Sequence, residues 1–220
     1  MARTKPAASP LAAIYLVVYN IASATLRAVV LIRAIQLWSS AGNATVWNEL
    51  NELARWTETC STIEIIHAAT GLVRASPATT ALQVAGRNTI VWAITRNYPD
   101  VAAREWAYAN MLVTWNAADV VRYTYFAFER GLGYVPDALL WLRYNMFLVL
   151  YPIGIFSEAW LVYKVITPSQ ARNPLYQYLL WFGLAIYVPA FYILYGHMLS
   201  QRRKSHQKKD VKSSPKGHVE

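Results

Sequence analysis

Long apolar segments, each near the length of a membrane-crossing helix, recur along this chain. A helix needs about 20 residues to cross the hydrocarbon layer of a bilayer. The sequence therefore predicts an all-α, polytopic membrane protein, a bundle of six transmembrane helices within residues 1–199. The six predicted spans are Leu11–Trp38, Glu58–Val73, Ala78–Ile94, Trp106–Phe128, Ala138–Val165 and Leu175–Leu199, and the polar segment Ser39–Thr57 separates the first two.

Composition agrees with a membrane protein. Hydrophobic residues make up 55% of the chain and charged residues only 15%, against roughly 25% in soluble proteins. The chain contains 9 Trp and 15 Tyr, and these residue types are enriched where the apolar core of a bilayer meets the lipid headgroups. The single cysteine, Cys60, excludes a disulfide within the chain.

The net charge of +9 is concentrated in a basic C-terminal tail, residues 200–220. Its composition predicts disorder. By the positive-inside rule the tail is expected in the cytosol, and an even number of spans then places both termini there. No separate folded module carries the charge, so nucleic-acid binding is not expected.

Several ionisable groups fall inside the predicted spans, where they are costly and mark a functional site by default. Simple pairing is one interpretation: Asp119 with Arg122, three residues apart, and Glu64 or Glu158 with an arginine of a neighbouring helix. Five arginines face only three carboxylates, however, which predicts an excess of positive charge that meets an anion or water. The arginines are Arg27, Arg33, Arg87, Arg122 and Arg143.

The fifth span carries a potential acid–base pair. Tyr151 and Glu158 are seven residues apart, which returns to the same helix face with about 10.5 Å of axial separation. A phenol and a carboxyl group on one face, shielded from water, are suited to general acid–base catalysis. Pro152 and Gly154 lie between them and can distort the helix or admit a close neighbour.

The residues that metal-dependent, phosphatase or phosphate-binding chemistry would require are missing from the sequence. Glu64 and His67 have the spacing of half a di-iron site, but no second such motif exists. A phosphatase loop starting at Cys60 would require an arginine where Ile66 stands. No paired cysteines or glycine-rich phosphate loop are present. We therefore expect neither a metal nor a cofactor.

Four blocks of sequence resemble the 3-hydroxyacyl-CoA dehydratase family of very-long-chain fatty-acid elongation, also called protein-tyrosine-phosphatase-like. They are Tyr19-Asn20, Glu64–Arg74 with its continuation through Leu82-Gln83-Val84 to Arg87, Val120–Tyr123, and Leu140–Glu158. One departure is Asp119, in a block where the family usually shows Ser and Glu. It keeps the charge on a shorter side chain.

The resemblance implies a six-span enzyme of the endoplasmic reticulum that dehydrates (3R)-3-hydroxyacyl-CoA to trans-2-enoyl-CoA, the third step of elongation. Its expected partners are the acyl-CoA substrate, the lipid bilayer, and the condensing enzyme and reductases of the same cycle. The family's catalytic pair falls on Tyr151 and Glu158. Its other polar or close-packed positions fall on Glu64, Gln83, Arg87, Arg122, Arg143 and Gly154, with Asp119 beside them.

The division of roles stays open at this point. The residues favour Tyr151 as the base, its phenolate stabilised by Arg87, Arg122 or Arg143, and Glu158 as the acid. The reverse is also possible. Two other classes of function compete with the enzyme: a catalytically silent scaffold for the elongation enzymes, and a small transporter whose buried charges line a solute path.

Overall fold

The computed structural model of the chain describes residues 10–213, without the side chains of residues 197, 201 and 204–213. The structure is all-helical over this range, as predicted, and contains no strand there. Three segments are long and apolar enough to cross a membrane: Pro10–Ala41, Phe147–Arg172 and Pro174–Ser200. The helices are α1 Pro10–Ala41, α2 Asn43–Cys60, α3 Ile63–Ala69, α4 Pro77–Thr89, a π-helical turn Ile90–Thr95, α5 Pro99–Arg104, α6 Ala107–Gly131, α7 Asp137–Asn145, α8 Phe147–Arg172 and α9 Pro174–Ser213.

Helix α6 lies between α1 and α8 and is antiparallel to both. Near its end, a Cβ added at Gly131 would lie 3.5 Å from the side chain of Val17, close to the start of α1. On its other side, Thr114 packs against Gly154 and the Asn110 amide donates to the Ser157 hydroxyl. The buried core follows these contacts and includes Val30, Ala34, Ala107, Met111, Leu112, Leu161 and Val165.

The second helical segment begins earlier than predicted. Most of the polar segment 39–57 forms α2, because its apolar residues recur at helical spacing: Val46, Leu50 and Ala54 are buried, while Glu49 and Glu52 are exposed. Helix α2 ends at Cys60, and the chain turns at residues 61–62 before α3. The predicted span Glu58–Val73 is therefore wrong in its boundaries.

Two other predicted spans, the third and the fifth, also differ from the helices in the structure. The third begins at Pro77, behind an N-cap in which Ser76 Oγ accepts from the Thr79 amide. It ends in the π turn rather than in a regular helix. The fifth is interrupted at Met146, between α7 and α8. Pro152 lies in the second turn of α8, and the helix continues through it to Glu158.

Asn43, the first residue of α2, ties α2 to the α5–α6 junction. Its side-chain nitrogen donates to the carbonyls of Ala102 and Ala103, both at 2.8 Å. Its side-chain oxygen accepts from the Ala109 amide at 3.0 Å. These three bonds satisfy backbone groups where two helices meet.

The backbone of α9 extends to Ser213. Helix α9 thus includes residues 200–213 of the basic tail, and disorder of the tail stays a prediction. The last part of that tail, residues 214–220, lies outside the described residues.

Candidate active site

Six charged side chains from five helices form one ionic cluster, in which Arg27, Glu58 and Asp119 are buried and Arg87, Arg122 and Glu64 are half-buried. Within it, Arg27 Nε donates to Asp119 at 2.8 Å. Arg87 donates to Asp119 at 2.5 Å and to Glu58 at 2.9 Å. Arg27 also donates to the Ser61 hydroxyl, at the turn after α2. The cluster thus joins α1, α2, α3, α4 and α6.

The cluster is balanced, with three arginines and three carboxylates. The predicted excess of positive charge is therefore wrong for this site. Glu58, at the first residue of a predicted span, was missing from the sequence-based count. Arg33 is exposed on α1 and does not add to the buried charge. Balance matters because an unpaired buried ion costs several kcal/mol, on the order of 3–5.

The expected pairs of Asp119 and Glu64 are confirmed. Arg122 Nε donates to Asp119 at 3.2 Å, and the same guanidinium binds both oxygens of Glu64, at 2.8 and 3.2 Å. The Tyr123 hydroxyl also donates to Glu64. Asp119 therefore accepts from three arginines in spite of its short side chain.

Glu158 lies in a separate group, between α6 and α9. One carboxyl oxygen accepts from Trp115 Nε1 at 2.7 Å, and the other accepts from the Tyr187 hydroxyl at 3.1 Å. Within the described part of the chain it forms no ion pair with an arginine, which differs from the pairing interpretation of the sequence.

Tyr151 packs against the same helix, α9. Its ring stacks on Phe191 and Tyr195, with centroid distances of 5.7 and 6.0 Å. Its hydroxyl is buried and has no hydrogen-bond partner among the described residues. Since Tyr187, Phe191 and Tyr195 recur every four residues, one face of α9 contacts both Tyr151 and Glu158. The two side chains share a face of α8, as their spacing predicts.

Trp115 connects Glu158 to the ionic cluster. The Arg87 guanidinium lies over its indole ring, 4.4 Å from the centroid, while the ring nitrogen donates to Glu158. The indole therefore contacts a fixed cation with its face and a carboxyl group with its edge.

The remaining predicted residues lie apart from these two groups or act through packing. Gln83 is on the exposed side of α4, one turn before Arg87. Arg143 lies over the Tyr125 and Phe126 rings, at 3.9 and 4.8 Å. Gly154 faces Thr114, and the absence of a Cβ at this position allows α6 and α8 to approach closely.

Sequence reasoning did not identify Glu58, Trp115 or Tyr187 as site residues. Glu58 carried a usable signal, because it is a charged residue at the edge of an apolar segment. Tyr187 had only the four-residue spacing with Phe191 and Tyr195, which an aromatic-rich span also shows by chance. The side chains that the structure describes contain no group of three His, Cys, Asp or Glu suited to a metal ion.

The chain is similar to one protein family and to several known proteins with related names. The family described as "Protein tyrosine phosphatase-like protein, PTPLA" matches residues 58–208. A probable very-long-chain (3R)-3-hydroxyacyl-CoA dehydratase of Schizosaccharomyces pombe is 40% identical over 191 residues, which cover 86% of this chain and 91% of the relative.

More distant relatives carry related names. The very-long-chain (3R)-3-hydroxyacyl-CoA dehydratase PASTICCINO 2 of Arabidopsis thaliana is 31% identical over 206 residues, covering 87% of this chain and 92% of the relative. Very-long-chain (3R)-3-hydroxyacyl-CoA dehydratase 2 of Homo sapiens is 28% identical over 210 residues, which cover 89% of this chain and 82% of the relative. No solved structure matches the chain.

Proposed function

Since the chain belongs to the protein tyrosine phosphatase-like (PTPLA) family, we propose that it is a very-long-chain (3R)-3-hydroxyacyl-CoA dehydratase. This hydro-lyase converts (3R)-3-hydroxyacyl-CoA to trans-2-enoyl-CoA and water, the third step of fatty-acid elongation. The observation that carries the proposal is the carboxyl group of Glu158, held by two donors on the helix face that also presents the buried, unpartnered hydroxyl of Tyr151.

We assign Glu158 as the base and Tyr151 as the acid, which reverses the roles favoured by the sequence. As the base, Tyr151 would have to be a phenolate before the reaction begins, and a resting phenolate needs a nearby cation. As the acid, it begins as a neutral phenol and is a phenolate only until Glu158 returns a proton. The arginines of the ionic cluster are engaged by carboxylates, and Arg143 lies on the ring of Tyr125. The indole N–H of Trp115 can only donate, so the Glu158 oxygen that faces it acts as an acceptor. These contacts favour the carboxylate of Glu158, rather than a phenolate of Tyr151, as the group that receives the proton.

The reaction then balances without a cofactor. Glu158 takes a proton from C2, next to the thioester, and the electrons of the C2–H bond form the C2–C3 double bond. The C3–O bond breaks, and the departing hydroxyl group takes the Tyr151 proton and leaves as water. Return of the proton from Glu158 to Tyr151 restores the enzyme. Exclusion of bulk water from the site favours each transfer.

The ionic cluster supports this site from outside it, because it fixes Arg87 under Trp115. Gln83, which is exposed, and Arg143, which is half-buried, remain candidates for contact with the polar part of acyl-CoA.

The contacts of α2 and α3 favour six membrane crossings. Helix α2 turns back along α1 so that Glu58 and Ser61 reach Arg27. Farther on, His67 of α3 lies 2.8 Å from the Tyr15 hydroxyl, near the start of α1. Together α2 and α3 follow α1 back across its length. The six crossings are α1, α2 with α3, α4 with the π turn, α6, α7 with α8, and α9.

We propose that the protein resides in the membrane of the endoplasmic reticulum with both termini in the cytosol. There it would receive its substrate from a reductase and pass its product to another, in the cycle that a condensing enzyme begins. The basic residues that follow Leu199 support a cytosolic C-terminus.

The proposal is tested with purified protein and (3R)-3-hydroxypalmitoyl-CoA, with the products separated by mass. We expect an enoyl-CoA lighter by one water. Tyr151→Phe and Glu158→Gln should each lower kcat by about 100-fold or more, since each removes one partner of proton transfer. Glu129→Gln, which changes an exposed carboxyl group bonded to Tyr125, is the matched control and should stay near wild type.

An inactive wild-type protein that is folded would contradict the enzyme and favour a membrane scaffold. Turnover above a tenth of the wild-type rate in either Tyr151→Phe or Glu158→Gln would contradict the assigned pair.

A further inference from the structure

We propose that Trp115 and Tyr187 are positioning residues that orient the Glu158 carboxyl group for proton transfer, and that Trp115 couples this orientation to the ionic cluster. The inference rests on the proposed function and adds to it two residues outside the expected catalytic pair. Its basis is the set of contacts on the carboxyl group and on the indole ring.

Each oxygen of Glu158 has its own donor, and the donors come from two different helices. Trp115 of α6 donates to one oxygen at 2.7 Å, and Tyr187 of α9 donates to the other at 3.1 Å. Rotation of the carboxyl group about its last bond would break both hydrogen bonds. The two donors therefore fix its plane, and a fixed base reacts faster than a rotating one.

The indole ring is itself held on two sides. Arg87 lies 4.4 Å from its centroid, and the Arg87 guanidinium is fixed by Asp119 and Glu58. On the side of α8, a Cβ added at Gly154 would lie 3.9 Å from Trp115 Cδ1. Trp115 is 7% exposed, so its ring has little room to turn.

Tyr187 provides the second constraint and links α9 to the site. Its hydroxyl contacts Glu158, while Phe191 and Tyr195 on the same face stack on Tyr151. Loss of the Tyr187 hydroxyl removes one hydrogen bond but leaves the stacked rings unchanged. Tyr187→Phe therefore isolates the orientation of Glu158 from the packing of α9.

The test compares Trp115→Phe and Tyr187→Phe with a matched control, Trp160→Phe. Trp160 Nε1 donates to a carboxyl oxygen of Glu105 at 2.7 Å, so the control loses the same kind of bond outside the site. With (3R)-3-hydroxypalmitoyl-CoA, we expect kcat to fall by about 10- to 100-fold in Trp115→Phe and by a smaller factor in Tyr187→Phe. KM should stay within about twofold in both, because neither residue is assigned to substrate binding. Trp160→Phe should retain wild-type kcat.

A second measurement separates positioning from a general loss of structure. Glu158→Asp shortens the side chain and withdraws the carboxyl group from Trp115. In that background Trp115→Phe should lower kcat by less than in the wild type, since residues that act as a unit are not additive.

The proposal is overturned if Tyr187→Phe and Trp115→Phe both keep kcat within about threefold of wild type, a range well inside the loss expected for a misplaced base. An equal loss in Trp115→Phe and Trp160→Phe, or an unchanged effect of Trp115→Phe in Glu158→Asp, would also overturn it. If Trp115→Phe does not fold, Tyr187→Phe alone decides the outcome. An inactive wild-type protein would instead contradict the proposed function.

Discussion

At the scale of single residues, Gly154 determines how closely α6 and α8 approach. A Cβ at this position would lie 3.3 Å from Thr114 Oγ1, which is tighter than ordinary contact, and 3.7 Å from Thr114 Cβ, which is an ordinary contact. The neighbouring residue, Trp115, donates to Glu158. Packing at Gly154 and the position of the candidate base are therefore linked.

We expect Gly154→Ala to separate the two helices slightly and to lower both thermal stability and turnover. The cost of such overpacking is about 1–3 kcal/mol. The double variant Thr114→Ala/Gly154→Ala removes the clashing oxygen and should recover part of both losses. Thermal unfolding in detergent and kcat measure the two effects. Equal behaviour of the single and double variants would contradict this explanation.

Residue pairs within one helix were predictable from the sequence, whereas partners on other helices were not. The spacing of Asp119 and Arg122, and that of Tyr151 and Glu158, follow from helix geometry alone. The hydrogen bond from Trp115 to Glu158 depends on the packing of α6 against α8, which no local pattern specifies.

At the scale of helices, the starts of three long helices were predicted well and the amphipathic α2 was not. Helices α1, α6 and α9 begin within one residue of their predicted spans. The sequence predicts a polar connection where α2 begins, because average hydropathy counts Glu49 and Glu52 equally with the apolar residues. The structure directs these acids outward and buries the opposite face.

The buried face of α2 can be tested with two adjacent residues. Leu50 is 3% exposed, so Leu50→Ala should lower the free energy of unfolding by about 2–5 kcal/mol. Glu49→Ala, one position earlier on the exposed face, should change it by less than about 0.5 kcal/mol. Urea or thermal unfolding of the detergent-solubilised protein gives the comparison. Similar values for the two variants would contradict the packing of α2.

At the scale of the whole molecule, the direction of α9 places its second half at the same end of the bundle as the start of α1. Tyr195, in the second half of α9, packs on Phe147 at the start of α8. Because α8 and α1 both run antiparallel to α6, the start of α8 and the start of α1 point to the same end of the bundle. The chain therefore begins and leaves the bundle at one end.

This arrangement predicts that epitope tags at residues 1 and 220 behave alike. In sealed vesicles of endoplasmic reticulum, protease added outside should remove both tags, since both termini are proposed to be cytosolic. A tag inserted after Asn97, in the segment between the π turn and α5, should be protected until detergent is added. Protection of only one terminal tag would exclude an even number of crossings.

The bonds of Asn43 have a consequence for the surface of the protein. Asn43-Ala44-Thr45 matches the acceptor sequence for N-linked glycosylation, and the proposed orientation places it on the lumenal side. Both hydrogens of its side-chain nitrogen are, however, donated to the carbonyls of Ala102 and Ala103. A sugar on this nitrogen would replace one of the two hydrogens that form these bonds. The folded chain should therefore bear no glycan at Asn43, and endoglycosidase treatment should leave its electrophoretic mobility unchanged.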